Sequence, residues 1–545
     1  VMIVVTGETL GSADRSAVTS ASGGFKFPAM PIGIYRVTAS LDGFQTQAAE
    51  EVRVAIGTVA SVDFTMPEAF SDEITVIAET PIIDVSSPTF NTRFEAEQII
   101  DLPTRGNFYD MIALTPGMSQ QDEGDREIVA FGADVKMTQW NIDGVNRTLP
   151  EGGTLYWSMN DEMVAEIQVL GTGATAEYGG MLGTAFNIVT KSGTNQFHGS
   201  ASFDYWNPNW VDTNAESQQP DTPEEARTFR LDRHDNLAAT LGGPILRDKL
   251  WFFVGAEWGR YKAFWPDQVE LPESKETYWN KYDAKVTAQL AQNHRLNLTF
   301  NDHEDLSPSL GSVYADSSTW NEWWWRDNMM SLDYTAILGQ NTVLEARGGI
   351  WRGDEEYRAQ HPSEEPYFVD WTVYPPLEHG GTYWNWDWER HQDTGEIKLT
   401  QHADDFIKGD HEFRFGVQYN RGGGTTKPYN VDYFYTYDYY GPDYVYLYWY
   451  TGLPYYYGGE SESWGAFVTD SWRVGSELTL DIGVRYDTHK GWIDDFQRLD
   501  RDSNPTGEII PGRDMIDWDN IDPRVGFAWN IGGSGKNVLR GSVGL

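Results

Sequence analysis

The chain has 545 residues, more than one ordinary domain holds, so we expect several domains. Its 82 acidic residues outnumber its 40 basic residues, and the formal net charge of −42 argues against a nucleic-acid-binding surface, which needs basic patches. The absence of cysteine excludes disulfides and thiolate metal ligands.

The hydropathy pattern leaves a membrane location open. No apolar run reaches the roughly 18 residues that a transmembrane helix needs. Transmembrane β-strands need only about 10 residues of alternating pattern, which average hydropathy hides. Aromatic residues make up 14% of the chain, with 23 Trp and 29 Tyr. Such an excess has a natural place in the aromatic girdles of a membrane β-barrel.

Residues 1–68 show the short alternating runs and turn signals of a small β-domain. In GGFKFPAMPIGIYRVTASLDGF, Pro31–Gly33 predicts a turn, and Tyr35, Val37 and Ala39 alternate after it. The pattern resembles the carboxypeptidase regulatory-like β-sandwich, whose members are structural or interaction modules. The opening strand of that family is missing, so we expect the natural chain to begin earlier.

Residues 69–80 form a linker around SDEITVIAE. An exposed extended segment of this kind is suited to adding its backbone to the edge of a partner's sheet. The alternative is an ordinary first strand of the next domain. The acidic residues and the β-branched residues after them are Asp72, Glu73, Ile74, Thr75 and Val76.

Residues 81–197 mix helix and strand patterns. FEAEQIIDLP (Phe94 to Pro103) predicts a short helix that ends before the proline, and NFYDMIALTPG (Asn107 to Gly117) predicts a second one. WNIDGVNR (Trp140 to Arg147) predicts a strand and then a turn at Asp143–Gly144.

The following motifs lead into a different pattern. MVAEIQVL (Met163 to Leu170) predicts a strand, and EYGGMLGTAFNIVTKSGTNQFHGSASFDY follows from Glu177 to Tyr205. Within it we expect a strand at Phe186–Thr190, a turn at Lys191–Asn195 and a further strand from His198.

These motifs, in this order, resemble the plug of TonB-dependent outer-membrane transporters and its junction with the barrel. Where that family often has Arg-Gly-Pro after the EIQVL strand, this chain has Gly171–Gly173, which together with AEYG and TKSGTNQFHG indicates the Oar-like subgroup. The resemblance implies that residues 81–197 are the plug and that the linker holds a TonB box. Ile74, Thr75 and Val76 would then pair with TonB, with Asp72 and Glu73 flanking them.

From His198 to Leu545 the sequence alternates with period 2. In RLNLTFN, Leu296, Leu298 and Phe300 face one way and the polar residues between them face the other. SASFDYW, HEFRFGVQYN and LTLDIGVRYD repeat this pattern. The expected fold is therefore mainly β: an N-terminal β-sandwich, an α/β plug and an antiparallel transmembrane β-barrel.

The connections favour a membrane barrel over a soluble sandwich, which would show the same alternation. Short and long connections alternate, as periplasmic turns and extracellular loops do. Short ones occur near Ala291–Asn293, Gly339–Gln340 and Gly475–Glu477, and long ones near 303–325, 353–389, 421–462 and 488–520.

The strand number points to part of a barrel. We count roughly a dozen strands in residues 198–545, whereas plugged transporters of this type have about 22. An open sheet edge cannot lie in lipid, because its backbone groups would be unpaired. We therefore expect a partial barrel here and a natural chain that continues past Leu545.

The segment from Tyr429 to Tyr457 holds 13 of the 29 tyrosines. It carries Asp432, Asp438 and Asp443 and contains no Lys or Arg. Exposed Tyr and Trp favour binding surfaces, so we expect an extracellular ligand- or partner-binding surface; a loop in which tyrosine fills space is the alternative. The candidates are Tyr433, Tyr435, Tyr437, Tyr444, Tyr446 and Trp449. The Trp-rich runs at 320–326 and 383–389 lie at predicted strand ends, where we expect a membrane girdle.

DRDSNPTGE (Asp500 to Glu508) alternates carboxylates with other residues, as calcium loops do. Pro505 stands where an EF-hand needs its glycine, so a solvated acidic loop is favoured over a weak calcium site at Asp500, Asp502 and Asn504. Calcium in the acidic extracellular loops is the one cofactor considered. No HExxH and no GxSxG occurs, so we predict no catalytic residues, no other cofactor and no enzyme.

The family resemblance implies energised uptake across the bacterial outer membrane, with the N-terminal domain in the periplasm. The implied partners are TonB with ExbB and ExbD, outer-membrane lipid and lipopolysaccharide, and an extracellular ligand that the sequence does not identify. The alternative is a surface structural or adhesive protein that uses the tyrosine-rich loop for contacts.

Overall fold

The structure, a computed structural model, describes most of the chain. No helix in the described part has the length and apolarity that a membrane crossing requires. The described residues are 1–11, 14–21, 23–67, 74–77, 87–101, 108–120, 128–149, 155, 159–181, 183–212, 215–218, 222–269, 276–308, 311–361, 365, 367–381, 386–428, 434–439, 445–450, 457–475, 477–499, 505–533 and 535–544.

Five strands form an N-terminal sheet of order β2-β1-β3-β4-β5, in which β4 and β5 are parallel and the other pairs antiparallel. Tyr35, Val37 and Ala39 alternate into its core as predicted and pack with Ile3 and Val5. The strands are β1 (Met2–Thr6), β2 (Arg15–Val18), β3 (Gly33–Ser40), β4 (Gln47–Val54) and β5 (Ile74–Ile77).

The plug segment (residues 81–197) contains a second five-stranded sheet of order β10-β9-β12-β11-β6 and a small β7–β8 hairpin. The Trp140 and Phe186 rings stack at its centre, 4.1 Å apart. Its elements are β6 (Asn91–Glu95), α1 (Ala96–Asp101), α2 (Phe108–Ala113), β7 (Met118–Gln120), β8 (Ile128–Ala130), β9 (Gln139–Ile142), β10 (Val145–Asn146), β11 (Val164–Leu170) and β12 (Ala185–Thr190).

The plug segment agrees with most local predictions and corrects one. The helix expected from Phe94 begins at Ala96, because Phe94 pairs with Ile167 in the ladder between β6 and β11. The predicted turn joins β9 to β10: Asp143 has φ 48° and Gly144 has φ 79°, the left-handed conformation that a two-residue hairpin turn requires.

Thirteen strands form the barrel sheet, each antiparallel to the next, and the described residues show no pairing between its first and last strands. The strands are His198–Tyr205, Arg230–Leu246, Leu250–Phe264, Thr277–Ala291, His294–Pro308, Asn321–Leu338, Thr342–Ala359, Trp386–Ala403, Asp410–Pro428, Tyr457–Val474, Leu478–Ile493, Arg513–Asn530 and Val538–Gly544.

The two faces of the barrel sheet differ as the alternation predicts. Leu298 and Phe300 are exposed on the outer face, whereas their neighbours Thr299 and Asn301 are buried on the inner face. Outer-face aromatics also pair across strands: the Trp258 Nε1–H donates to the Tyr282 hydroxyl at 3.0 Å, and the Tyr419 and Trp464 rings lie 4.7 Å apart. Each of these residues lies eight to ten positions from the short turns, about the length that crosses a bilayer.

The connections define two ends of the barrel sheet, the short-turn end and the long-loop end. Several strands run further than expected, so the long connections are shorter than predicted. For the connection predicted near 303–325, the strand before it ends at Pro308 and the strand after it begins at Asn321. The long connections contain strands of their own, which are Gln268–Val269, Gly311–Ser312, Tyr367–Asp370, Leu377–His379, Phe434–Tyr439, Val445–Tyr450, Phe496–Leu499 and Pro505–Ile510.

Candidate functional site

The plug segment packs directly against the inner face of the barrel sheet. Phe253 and Trp325 of the barrel join the plug core around Phe186, and Trp323 packs at its margin. The expected girdle role is therefore wrong for these two tryptophans. Alternation explains the outcome, because Trp323 and Trp325 share a strand face that points inward and Trp324 lies on the other.

A buried ion pair holds the plug turn at Asp143. The Lys285 ammonium lies 3.1 Å from the Asp143 carboxylate and donates to the Thr190 hydroxyl at 2.9 Å. Thr190 in turn donates from its hydroxyl to Asp143 at 2.6 Å. The turn that presents Asp143 follows from the Asp-Gly sequence, but its barrel partner lies 142 residues away, so no local pattern indicates this contact.

The predicted junction motif EYGG begins with a buried ion pair between plug and barrel. The Lys398 ammonium lies 2.7 Å from the Glu177 carboxylate and 3.0 Å from that of Glu345. Burial alone would raise the pKa of Glu177, but the Lys398 and Arg414 cations outweigh it, so the net pKa is lowered. Glu177 is thus an ionised carboxylate clamped inside the sheet.

Arginines hold the backbone on both sides of Glu177. Arg485 donates to the Glu177 carbonyl at 3.2 Å, and Arg524 donates to the Tyr178 carbonyl at 2.7 Å. A Cβ on Gly179 would lie 2.2 Å from the Arg485 guanidinium, so only glycine permits this approach. We call Glu177, Tyr178 and Gly179 with Lys398 and Arg485 the Glu177 latch.

A second buried cluster surrounds Asp161 of the plug. Burial raises the pKa of the Asp161 carboxyl to about 8, even though the nearby Lys281 ammonium opposes the shift. Lys281 pairs with Glu257 at 3.2 Å and donates to the Met159 carbonyl at 3.4 Å. The cluster therefore places an acid that titrates near neutral pH at the contact between plug and barrel.

A ladder of amide side chains crosses the plug sheet. The Asn141 amide donates to Asn187 at 2.9 Å, and Asn187 donates to the Gln168 carbonyl oxygen at 3.0 Å and to the Tyr178 hydroxyl at 3.3 Å. Gln168 donates onward at 3.3 Å to the backbone carbonyl of Ile56, which follows β4 of the N-terminal sheet. The amide ladder thus joins the N-terminal sheet to the Glu177 latch through Tyr178.

The candidate TonB-box residues Ile74, Thr75 and Val76 lie in β5, where Thr75 is opposite Ala48 of β4. This run is therefore part of the N-terminal sheet, so the alternative that it is the first plug strand is wrong, and so is the expectation of a free extended segment. Asp72 and Glu73 lie outside the described residues. The box assignment itself stays a prediction.

The tyrosine-rich segment forms a hairpin at the long-loop end. Tyr435 is opposite Trp449, Tyr437 is opposite Leu447 and Tyr446 is opposite Asp438. The strand Phe434–Tyr439 also pairs in parallel with Tyr367–Asp370 of another long loop, which gives a four-stranded sheet. Tyr433 and Tyr444 lie outside the described residues, as do the calcium candidates Asp500, Asp502 and Asn504.

Other long loops are joined around Asp267, which the sequence does not single out. Its carboxylate accepts hydrogen bonds from the hydroxyls of Ser217 at 2.8 Å, Thr222 at 2.6 Å and Tyr314 at 3.3 Å. Backbone hydrogen bonds between Glu378 and the segment at Tyr314, 2.8 Å long, extend the connection to a fourth loop. We call this joined set, with the tyrosine hairpin, the loop cap.

The inner wall near the loop cap combines charge with aromatic rings. Arg390 pairs with Glu355 at 2.7 Å and lies 4.2 Å from the Trp388 ring centroid, and Trp323 Nε1–H donates to Glu355 at 2.9 Å. Trp388 is thus another member of a predicted girdle run that takes an inner position. In the described residues, no group of three or more His, Cys, Asp or Glu side chains forms a metal site.

The comparisons with known proteins agree with this architecture. The family model for an outer membrane beta barrel domain matches residues 189–273 and 266–545, and the model for a carboxypeptidase regulatory-like domain matches residues 1–67. The chain belongs to the outer membrane beta barrel family. It is 27% identical over 265 residues to the TonB-dependent transporter Oar of Myxococcus xanthus, a match that covers 47% of this chain and 24% of Oar.

Solved structures show the same fold at low identity. The outer membrane transporter YddB from Escherichia coli matches with a TM-score of 0.63 and 14% identity over 84% of this chain and 62% of YddB. The ferric yersiniabactin uptake receptor FyuA from Yersinia pestis matches with a TM-score of 0.55 and 13% identity over 81% of this chain and 62% of FyuA. The chain spans less than two thirds of the length of these relatives.

These matches confirm the expected Oar-like relationship, the mainly β fold and the bacterial outer membrane as the location. The relatives are transporters and receptors and not enzymes, as predicted for this chain. The short-turn end carries the N-terminal sheet, so in this family's orientation it faces the periplasm and the long-loop end faces the exterior.

Proposed function

We propose that the chain acts as an Oar-like TonB-dependent transporter that imports an extracellular ligand using the inner-membrane proton gradient. The observation that carries the proposal is the plug segment held inside the barrel sheet by the Glu177 latch. A plug fixed by a few buried ion pairs closes the passage at rest, yet yields when those pairs are broken together. The relationship to Oar supports the same function.

The ligand would bind at the long-loop end. The tyrosine hairpin of the loop cap would supply tyrosine and tryptophan, which are favoured at binding surfaces. The wall around Arg390 and Trp388 would supply a cation, an acid and aromatic rings. The proposed contacts are those predicted for the tyrosine-rich segment, with Tyr435, Tyr437, Tyr446 and Trp449 in the described hairpin.

Energy would enter at the short-turn end. TonB, driven by ExbB and ExbD, would pair its backbone with Ile74–Val76 of the box and pull. Because the ligand is not identified, the test measures binding of the C-terminal domain of TonB instead of ligand uptake. Binding of that domain to the full chain in lipid nanodiscs measures the box directly.

Proline at position 75 removes a backbone N–H that strand pairing uses. We expect Thr75→Pro to lower TonB affinity by at least about tenfold, a loss of about 1.4 kcal/mol. Thr75→Val keeps the N–H and the β-branched shape and should bind like the natural chain. Equal binding of both variants would refute the box assignment, and no binding by the natural chain would refute the transport proposal.

The loop cap favours a second candidate function, a surface protein that adheres through its tyrosine-rich hairpin. The four-stranded sheet of the cap is built from two loops, and its strand pairing does not depend on TonB. Adhesion of cells that carry the chain should then be the same with and without TonB, whereas transport requires TonB.

A further inference from the structure

The N-terminal sheet is anchored at the short-turn end by contacts to two different parts of the molecule. On the barrel, the Lys26 ammonium lies 2.6 Å from the Asp404 carboxylate, and Arg295 donates to the Thr9 carbonyl at 3.3 Å. On the plug, Arg53 pairs with Glu95 at 2.8 Å. The N-terminal sheet therefore lies beneath the plug and against the barrel rim at once.

The N-terminal sheet also contacts the plug through a turn after β4. Gly57 has φ +63°, and a Cβ there would lie 2.6 Å from the Gln168 amide nitrogen. The preceding residue, Ile56, also contacts the plug. Its N–H donates to the Glu166 carboxylate at 3.3 Å, and its carbonyl accepts from the Gln168 amide at 3.3 Å. Gln168 is 3% exposed, so this turn covers the first member of the amide ladder.

The same sheet includes the predicted box. Strand β5 pairs in parallel with β4 from Gln47 opposite Ile74 to Glu50 opposite Ile77, and its other edge has no strand partner among the described residues. A partner strand can therefore add to β5 while β5 stays paired with β4. The Gly57 turn directly follows β4. A pulling force on β5 is therefore transmitted through the β4–β5 pair to the contact with Gln168.

We infer that the N-terminal sheet is a periplasmic gate, and that TonB displaces it as one body by adding to the edge of β5 that faces away from β4. This inference rests on the proposed function. At rest the gate covers Gln168 and holds the amide ladder, which ends at Tyr178 in the Glu177 latch. Displacement first breaks the hydrogen bond between Gln168 and Ile56. The amide ladder then holds Tyr178 of the Glu177 latch less firmly.

The resting contact is tested by cross-linking, which the absence of native cysteine makes specific. A short, reducible cross-linker joins Lys26→Cys to Asp404→Cys only while the gate is docked. Gly57→Ala should lower the cross-linking rate by at least about tenfold, because its Cβ meets Gln168. Gly43→Ala is the matched control, since Gly43 also has positive φ but has nothing within 4 Å of a Cβ. Equal rates would contradict docking through the Gly57 turn.

The gate itself is tested by pulling. The full chain in lipid nanodiscs is pulled in an optical trap through the bound C-terminal domain of TonB. We expect the first extension step to disappear when Lys26→Cys and Asp404→Cys are cross-linked and to return on reduction. A cross-link inside the N-terminal sheet, between Arg36→Cys and Glu50→Cys, whose natural side chains pair at 2.7 Å, should leave that step in place.

The outcomes separate this inference from the function on which it rests. If the first step is unchanged by the cross-link between sheet and barrel, the box leaves without the gate and the inference is wrong. If the TonB domain does not bind the chain at all, the transport proposal fails instead, and the cross-linking comparison of Gly57→Ala with Gly43→Ala still decides whether the sheet is docked as inferred.

Discussion

The short-turn end and the long-loop end of the barrel sheet differ in the kind of contact that joins the parts meeting there. At the short-turn end and around the plug, separate units meet through side chains, as in the Lys398–Glu177 and Lys26–Asp404 pairs. At the long-loop end, neighbouring loops share backbone hydrogen bonds and short strands. Side-chain contacts can be broken without unfolding either unit, whereas shared strands cannot. The difference suits one end to movement and the other to holding a fixed surface.

The largest expected effect comes from breaking the Glu177 latch. Lys398→Ala removes the cation that the buried carboxylates of Glu177 and Glu345 share, and only Arg414 and Arg347 remain as cations close to them. Loss of one partner of a buried pair costs about 3–5 kcal/mol. Urea-induced release of the plug, followed by protease cleavage within it, measures the change. Lys26→Ala removes an exposed pair and should cost less than about 1 kcal/mol; equal losses would contradict the comparison.

Gly179→Ala should also weaken the latch, by about 1–3 kcal/mol, because the new Cβ displaces the Arg485 guanidinium. The neighbouring Gly180→Ala is the control. Gly180 has φ +70°, but a Cβ there meets nothing within 4 Å. If both substitutions lower stability equally in the same urea assay, the Arg485 contact does not have the role assigned to it.

Much of the barrel and plug could be predicted from the sequence, because their signals are local. Alternation reports which face of a strand is apolar, and Asp143–Gly144 reports its own turn. The same alternation would also have placed Trp323 and Trp325 on the inner face. Contacts such as Lys398 with Glu177, 221 residues apart, leave no local trace, and neither does the pairing of β5 with β4.

The loop cap should respond to Asp267→Ala without an effect on the plug. The substitution leaves the hydroxyls of Ser217, Thr222 and Tyr314 without their shared acceptor, at a local cost of about 1–3 kcal/mol. Hydrogen exchange should speed up in residues 215–218 and 311–320 and stay unchanged in β11 and β12. Faster exchange in the plug strands would show that the two ends are coupled at rest.

A further expected effect concerns the pH dependence of plug stability. Because burial raises the pKa of Asp161 to about 8, the folded chain keeps a proton that the unfolded chain releases above about pH 4. This group therefore makes the free energy of unfolding fall as pH rises from about 4 to about 8. Asp161→Asn should flatten that slope in urea unfolding and stabilise the chain more at pH 8 than at pH 5. A steeper slope in the variant would contradict the assignment.

The central claim, that TonB and the proton gradient act on the plug, is tested most directly by access to a buried plug position in living cells. Thr184 is 0% exposed, and the chain has no cysteine of its own, so a maleimide reports Thr184→Cys alone. We predict faster labelling in cells with TonB than in cells without it, and a return to the slow rate when the gradient is collapsed. Equal labelling in all three conditions would contradict the account.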